Sequence, residues 1–287
     1  MSDEKQFCLT LDLENDWYFD EPGYDHLTLE YLDEFIELID SLDVPLTVFV
    51  VGRTLERFPD AVDRLDDELN CEFHLHSYQH DTSKEYDFRE NIRRGKRAFR
   101  EHFGHDPIGY RAPQGNIEPE EFRTLEEEGF IFDSSIFPSF RPGVYNNLDA
   151  PLQPYVPDQA EELVEIPIGA TPKTRVPTAH SYLKLLGRPY MLYLRRAPLP
   201  ETLVYNVHLQ DLYRTDSYDE LPTVKRLIYD RNIRQAPSFL EAVVGLLQNR
   251  GYQAIHITRA ITIGGIDDTP LSNSTQKYNC ADQGVQE

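Results

Sequence analysis

The residues best placed to do chemistry are His76-Ser77-Tyr78-Gln79-His80, with Asp12-Leu13-Glu14 upstream, Arg111-Ala112-Pro113 between, and His208 far downstream. Histidines four apart share one face of a helical turn, where both imidazoles can bind one metal ion. Alone the pair is weak: nine His in 287 residues supply roughly 0.3 such pairs by chance. Its weight comes from company, because each of the other pieces ends its own strand-like segment. Two neutral imidazoles and one carboxylate leave open positions on a divalent ion for water and substrate.

Alternation along Phe7–Glu14 sets Phe7, Leu9, Leu11 and Leu13 on one face and Cys8, Thr10, Asp12 and Glu14 on the other. Two carboxylates at one strand end repel unless they share a cation or a proton. In a third segment Cys71, Phe73 and Leu75 oppose Glu72, His74 and His76, and the chain then turns so that His80 returns under His76. His74 is expected to support the ligands from behind or to belong to the core rather than to be a third ligand. His208 alternates with Val204 and Asn206, and an ordinary imidazole pKa near 6.5 suits a proton donor. Arg111 and Asp133 also end strands. Taken singly they read as a surface ion-pair partner and a helix cap. Six strand ends all presenting polar groups are not what those separate readings predict together.

The elements that must position these groups alternate regularly. Strands are expected near 6–14, 45–52, 71–76, 107–111, 130–134, 163–168, 203–209 and 252–258. Amphipathic stretches lie at His26–Leu42, Thr54–Leu69, Lys84–Phe103, Pro119–Glu128 and Ser238–Arg250. That alternation implies a parallel sheet with helices outside it, an α/β fold. A distorted, TIM-like (β/α) barrel of seven or eight strands is expected, with an open doubly wound sheet as the alternative. Residues 138–160 read as a long loop and 178–200 as an inserted helical element, either packed on the barrel flank or acting as a lid. One catalytic domain is expected over 1–265, followed by a polar, disordered tail over 266–287.

Fifty acidic against 28 basic residues give a formal charge of −22, which argues against nucleic acid or anionic lipid as the main partner. An acid-rich, Lys-poor surface of this kind suits a halophilic cytoplasm. The N-terminal residues show no apolar signal region and no stretch reaches the length of a membrane span, so a cytoplasmic location is expected. With Cys8, Cys71 and Cys280 only, and two of them in expected buried strands, a disulfide scaffold is not.

Taken in order, Thr10-Leu-Asp12-Leu-Glu14, His76-Ser77-Tyr78-Gln79-His80, Arg111-Ala112-Pro113-Gln114-Gly115, Asp133-Ser134-Ser135 and Leu203 through His208 resemble the polysaccharide deacetylases of the NodB-homology family, carbohydrate esterase family 4. The resemblance covers roughly 6–260 and implies one divalent metal ion, usually zinc, with cobalt or nickel as alternatives. It implies that His76 and His80 bind the metal, that Asp12 is the general base, and that Arg111 holds Asp12 ionised. It further implies that His208 protonates the leaving amine with Asp133 as its partner, and that backbone N–H near Gln114 and Gly115 shares the oxyanion.

One departure stands out. The family's usual first motif has adjacent Asp residues, whereas here Asp12-Leu13-Glu14-Asn15-Asp16 stands. Strand alternation favours Glu14 as the third ligand, and Asp16 competes if the strand ends early. The implied activity is removal of an N-acetyl group from an N-acetylated sugar, nucleotide- or lipid-linked if the protein stays inside the cell. Hydrolysis of a non-sugar C–N bond of the cyclic amide type and a non-catalytic, carbohydrate-binding role are the alternatives.

Overall fold

The computed structural model describes residues 4–16, 23–81 and 83–264, with no account of the side chains of 262–264. The tail expected over 266–287, including Cys280, lies outside the described residues. In chain order the strands are β1 (Lys5–Leu13), β2 (Leu46–Val50), β3 (Cys71–Leu75), β4 (Gly109–Tyr110), β5 (Phe132–Asp133), β6 (Phe140–Arg141), β7 (Tyr145–Asn146), β8 (Val164–Glu165), β9 (Thr202–His208) and β10 (Tyr252–Ala254). The helices are α1 (Leu32–Leu42), α2 (Gly52–Arg57), α3 (Pro59–Glu68), α4 (Phe88–Phe103), α5 (Pro119–Glu127), α6 (His180–Leu186), α7 (Arg188–Leu194), α8 (Leu209–Leu212), α9 (Thr223–Tyr229) and α10 (Ala236–Asn249).

Seven strands curl in the parallel order β9-β1-β2-β3-β4-β5-β8, and β10 pairs with the first residues of β1 on its β2 side. A parallel bridge between Ile168, just past β8, and Val204 of β9 joins the two ends of this row. The result is the distorted (β/α) barrel expected from the alternation of elements, and not an open doubly wound sheet. The register places Asp12 beside His208 on one side and Phe49 on the other.

Side-chain alternation sorts the strands into two cores. Phe7, Leu9, Leu11 and Leu13 of β1 face outward into the large cluster shared with α1, α3 and α10, where Phe35, Leu65, Leu240 and Val244 are buried. Cys8, Phe49, Phe132 and Val204 face inward and join Ile166, Ile168 and Ile257 in a plug that fills the barrel below the site. His74 belongs here, fully buried with the Phe132 ring edge-on at 4.8 Å.

Several expected elements are refined. The helix expected over Thr54–Leu69 is two, α2 and α3, because Pro59 cannot continue the first and instead starts the second. The loop expected over 138–160 contains the antiparallel ribbon β6–β7. Residues 178–200 contain the pair α6–α7, whose Leu183, Tyr190 and Leu194 are buried in the main core while Tyr182, Lys184 and Leu185 reach the cavity described below. Among the described residues no helix is long and apolar enough to cross a membrane.

Candidate active site

Inward groups at the C-terminal end of the barrel, among them Asp12, Glu14, His80, Arg111 and His208, line a cavity of about 260 Å³. Glu14, the first residue past β1, meets two histidines that the loop after β3 delivers: Glu14 Oε2 lies 3.2 Å from His76 Nε2 and 2.8 Å from His80 Nε2. The spacing of His76 and His80 is not helical, contrary to expectation. Ser77 has a positive φ of 66°, and the chain from 76 to 81 is a loop. That loop is held from outside, because Gly52 N–H and Arg53 N–H at the start of α2 donate to the Ser77 and Tyr78 carbonyls at 3.0 and 2.9 Å. A Cβ on Gly52 would come within 2.9 Å of the Tyr78 ring and 3.2 Å of its Cα, so only glycine lets α2 approach this closely.

The donor set fits a divalent cation. His76 Nδ1 lies 2.9 Å from the Arg111 carbonyl, an acceptor only, so Nδ1 carries the proton and Nε2 presents a lone pair to Glu14. A neutral imidazole and a carboxylate that face one another through acceptors repel, and a shared cation removes the repulsion. Glu14, His76 and His80 each offer one ligand atom, all within 4.8 Å of one another. Asp16 is not among them. It is buried and accepts from the Thr28 N–H at 3.0 Å and from the Thr28 hydroxyl, capping the turn over 27–31.

Beside this cluster, Asp12 is clamped from two directions. Arg111 Nη1 donates to its Oδ1 at 2.7 Å and Asn206 Nδ2 to its Oδ2 at 3.0 Å. Arg111 is itself buried, with its Nε and Nη2 donating to the Ser134 carbonyl and hydroxyl and its guanidinium 3.9 Å from the Phe49 ring centre. Burial pushes the Asp12 carboxyl up, but the Arg111 charge and the hydrogen bond to His208 outweigh it and hold Asp12 well below the usual carboxylate range.

His208 closes the site from β9, with Nε2 3.5 Å from Asp12 Oδ2 and 3.8 Å from Glu14 Oε1. Its other nitrogen corrects the expected pairing with Asp133. Nδ1 lies 3.0 Å from Asp211 Oδ2, and Asp211 Oδ1 lies 2.9 Å from the buried Lys184 ammonium of α6. Burial lowers the His208 pKa, but hydrogen bonding to Asp12 and Asp211 overcomes this and holds it well above the ordinary value. Asp133 instead accepts from Ser135 and neighbours Glu165, with which it is register-paired. Burial and the Asp133 charge push the Glu165 carboxyl well up, which favours its protonated form. Gln114 and Gly115 line the cavity from a 3-10 turn in which both have positive φ, 55° and 67°.

Asp211, Lys184, Asn206 and Gln210, which donates to Glu14 Oε1 at 3.0 Å, were not singled out in the sequence. The spacing His208-x-x-Asp211 was the one available signal, since three residues on along a helical turn returns a side chain to the same face.

Residues 19–130 match the polysaccharide deacetylase family. Among proteins with curated descriptions none matches the chain by sequence. Solved structures resemble it in fold. A Mycobacterium smegmatis protein assigned as a polysaccharide deacetylase has a TM-score of 0.61 at 19% identity, covering 92% of this chain and 91% of that one. The PuuE allantoinase has a TM-score of 0.59 at 17% identity, over 90% and 89%. A carbohydrate esterase family 4 pseudoenzyme from Bacillus anthracis has a TM-score of 0.54 at 15% identity, over 92% and 68%.

Proposed function

We propose, from the match of residues 19–130 to the polysaccharide deacetylase family, that the chain is a metal-dependent hydrolase removing the acyl group from an N-acylated amino sugar. The observation that carries the reading is the Glu14–His76–His80 cluster, lone pairs facing one another, beside a carboxylate already committed to Arg111. Glu14, His76 and His80 would hold the ion. Zinc is the ion we assign, because two imidazoles and one carboxylate with open positions are a donor set of hydrolytic zinc sites. When bound, such an ion polarises the acyl carbonyl and brings the pKa of water to about 7.

The chain's own groups supply the proton transfers. Asp12, kept ionised by Arg111 and aimed by Asn206, takes the proton that water loses as it attacks the carbonyl. His208, protonated through Asp211, gives a proton to the nitrogen as the C–N bond breaks, so the products are a free amine and a carboxylic acid. Backbone N–H in the turn at Gln114 and Gly115 is suited to the developing oxyanion. Arg111 acts through Asp12 and is a positioning residue.

The test joins metal content to a substrate panel. The expected result is close to one divalent ion per chain by elemental mass spectrometry, lost in His76→Ala, with acetate released from N-acetylated sugars. Ring opening of cyclic amides without acetate would move the protein to the alternative C–N hydrolase reading. Sugar binding with no turnover by the metal-loaded protein would make it a non-catalytic homologue.

A further inference from the structure

Three Arg and Lys side chains line the cavity, and two are spoken for: Arg111 by Asp12 and Lys184 by Asp211. The third, Arg141, is exposed on the β6–β7 ribbon and has no carboxylate partner among the described residues. The ribbon's place is fixed: Phe137, at its foot, stacks on Tyr145 with ring centres 5.6 Å apart and planes 12° from parallel, and Asn147 N–H donates to the Ser139 carbonyl. Burial raises the Tyr145 and Tyr229 hydroxyls above the usual phenol value, and the Arg141 charge opposes that rise on both. Arg141 thus lies close to two phenols that line the cavity from different sides, one from the ribbon and one from α9.

The charge balance of the cavity points the same way. Apart from His208, the cavity sets Asp12, Glu14 and Asp211 against Arg111, Arg141 and Lys184, three of each sign before any metal ion is added. A divalent ion makes the loaded cavity net positive within a strongly acidic molecule, and so selective for an anion. The volume of about 260 Å³ is at or below the small end of ligand cavities, which run from about 300 Å³ upward. It suits one acylamino sugar with a compact substituent rather than a run of polymer.

Resting on the deacylase reading above, we propose that the substrate is an N-acylated amino sugar carrying a phosphate ester, and that Arg141 is the specificity residue that binds the phosphate while Tyr145 and Tyr229 flank it. A guanidinium presents paired donors to phosphate oxygens, and the aromatic walls favour a planar or apolar group beside it. A sugar 1-phosphate, a nucleoside diphosphate sugar and a lipid-linked sugar phosphate share this chemistry.

The experiment compares acetate release by the zinc-loaded protein from N-acetylglucosamine, its 1-phosphate, its uridine diphosphate ester and a polyprenyl diphosphate ester in detergent. The phosphate esters are expected to exceed the neutral sugar at least tenfold in kcat/KM, mainly through KM, with the best ester identifying the source. Arg141→Ala is expected to collapse that ratio toward one and Arg141→Lys to restore part of it. Equal turnover of neutral and phosphorylated sugars, or an unchanged ratio in Arg141→Ala, overturns the proposal and leaves the deacylase reading standing. Calorimetric binding of glucosamine 1-phosphate against glucosamine keeps the two separable if no sugar is turned over. A phosphate preference lost in Arg141→Ala then supports the anion site while the deacylase reading fails, and no preference sinks both.

Discussion

Replacing Arg111 by Met tests the arrangement without any knowledge of substrate. The guanidinium is 1% exposed and donates to Asp12, Thr10, Asn206 and both acceptors of Ser134. With charge centres about 4 Å apart and an effective dielectric near 20, the attraction to Asp12 is about 4 kcal/mol, equivalent to about 3 pH units. Removing one partner strands the other charge in the interior, so Arg111→Met is expected to cost about 3–5 kcal/mol at pH 7. In the native protein the folded pKa of Asp12 is depressed, so its contribution is present above the unfolded value near 3.9 and lost only as pH falls through the lower folded value. Without Arg111, burial alone raises the Asp12 pKa above the unfolded value. The variant should therefore recover stability, relative to the native protein, as pH falls from 7 toward 5. Adding Asp12→Asn should restore most of the loss at pH 7. Urea unfolding with a chelator present, for the native protein, both single variants and the double, gives the coupling directly. A deficit independent of pH between 5 and 7, with no recovery in the double variant, would refute the claim that Arg111 exists to keep Asp12 charged.

Three further outcomes follow from the site. His80→Ala should retain less than a tenth of the native zinc content, and a thousandfold excess of zinc over its Kd should stabilise the native protein by about 4 kcal/mol in thermal melts but not the variant. Asp211→Asn removes a carboxylate 3.0 Å from His208 Nδ1, so the alkaline limb of the kcat/KM profile, where protonated His208 is lost, should move down by about 1–3 pH units; an unmoved limb would exclude His208 as the acid. Glu165 has a folded pKa raised by burial and Asp133, so native stability should fall as pH rises above about 4.5, by about 1.4 kcal/mol per unit until the folded pKa is passed. Glu165→Gln, which mimics the protonated form, should flatten that slope in urea titrations at pH 5 to 9.

The inward placement of Asp12, Asn206 and His208 was legible because period-two alternation in a strand with one apolar face leaves no second solution. Phe7, Leu9, Leu11 and Leu13 had to face the helices, and Asp12 followed. Glu14 was legible on the same ground, although it lies one residue beyond β1. What alternation cannot supply is lateral order. Asp133 lost its expected role because β8 is its neighbour and brings Glu165 into register, whereas His208 sits at the end of β9, beside β1. The actual partner, Asp211, lies on the four-residue helix α8, too short to leave a periodic signature, and its counterion Lys184 comes from α6 through a tertiary contact. The loop holding His76 and His80 depended on Gly52 and Asn91, whose relation to Ser77 and Tyr78 no local pattern encodes.

The order of the strands in the ring has a consequence for how the site comes into being during synthesis. Glu14, His76 and His80 all lie within residues 14–80, just past β1 and in the loop after β3, and β2 already joins those two strands. Asn206, His208 and Asp211 arrive much later, on β9 and α8, and β1 cannot gain that neighbour until residue 208 has left the ribosome. Pairings so distant in the chain are slow to form. A nascent chain that has released β3 but not β9 therefore holds the three candidate ligands without the candidate proton donor, and its first strand keeps one edge bare until residues 202–208 emerge. Metal capture by that early half would tie β1 to β3 and keep the waiting strand from pairing with a neighbouring nascent chain.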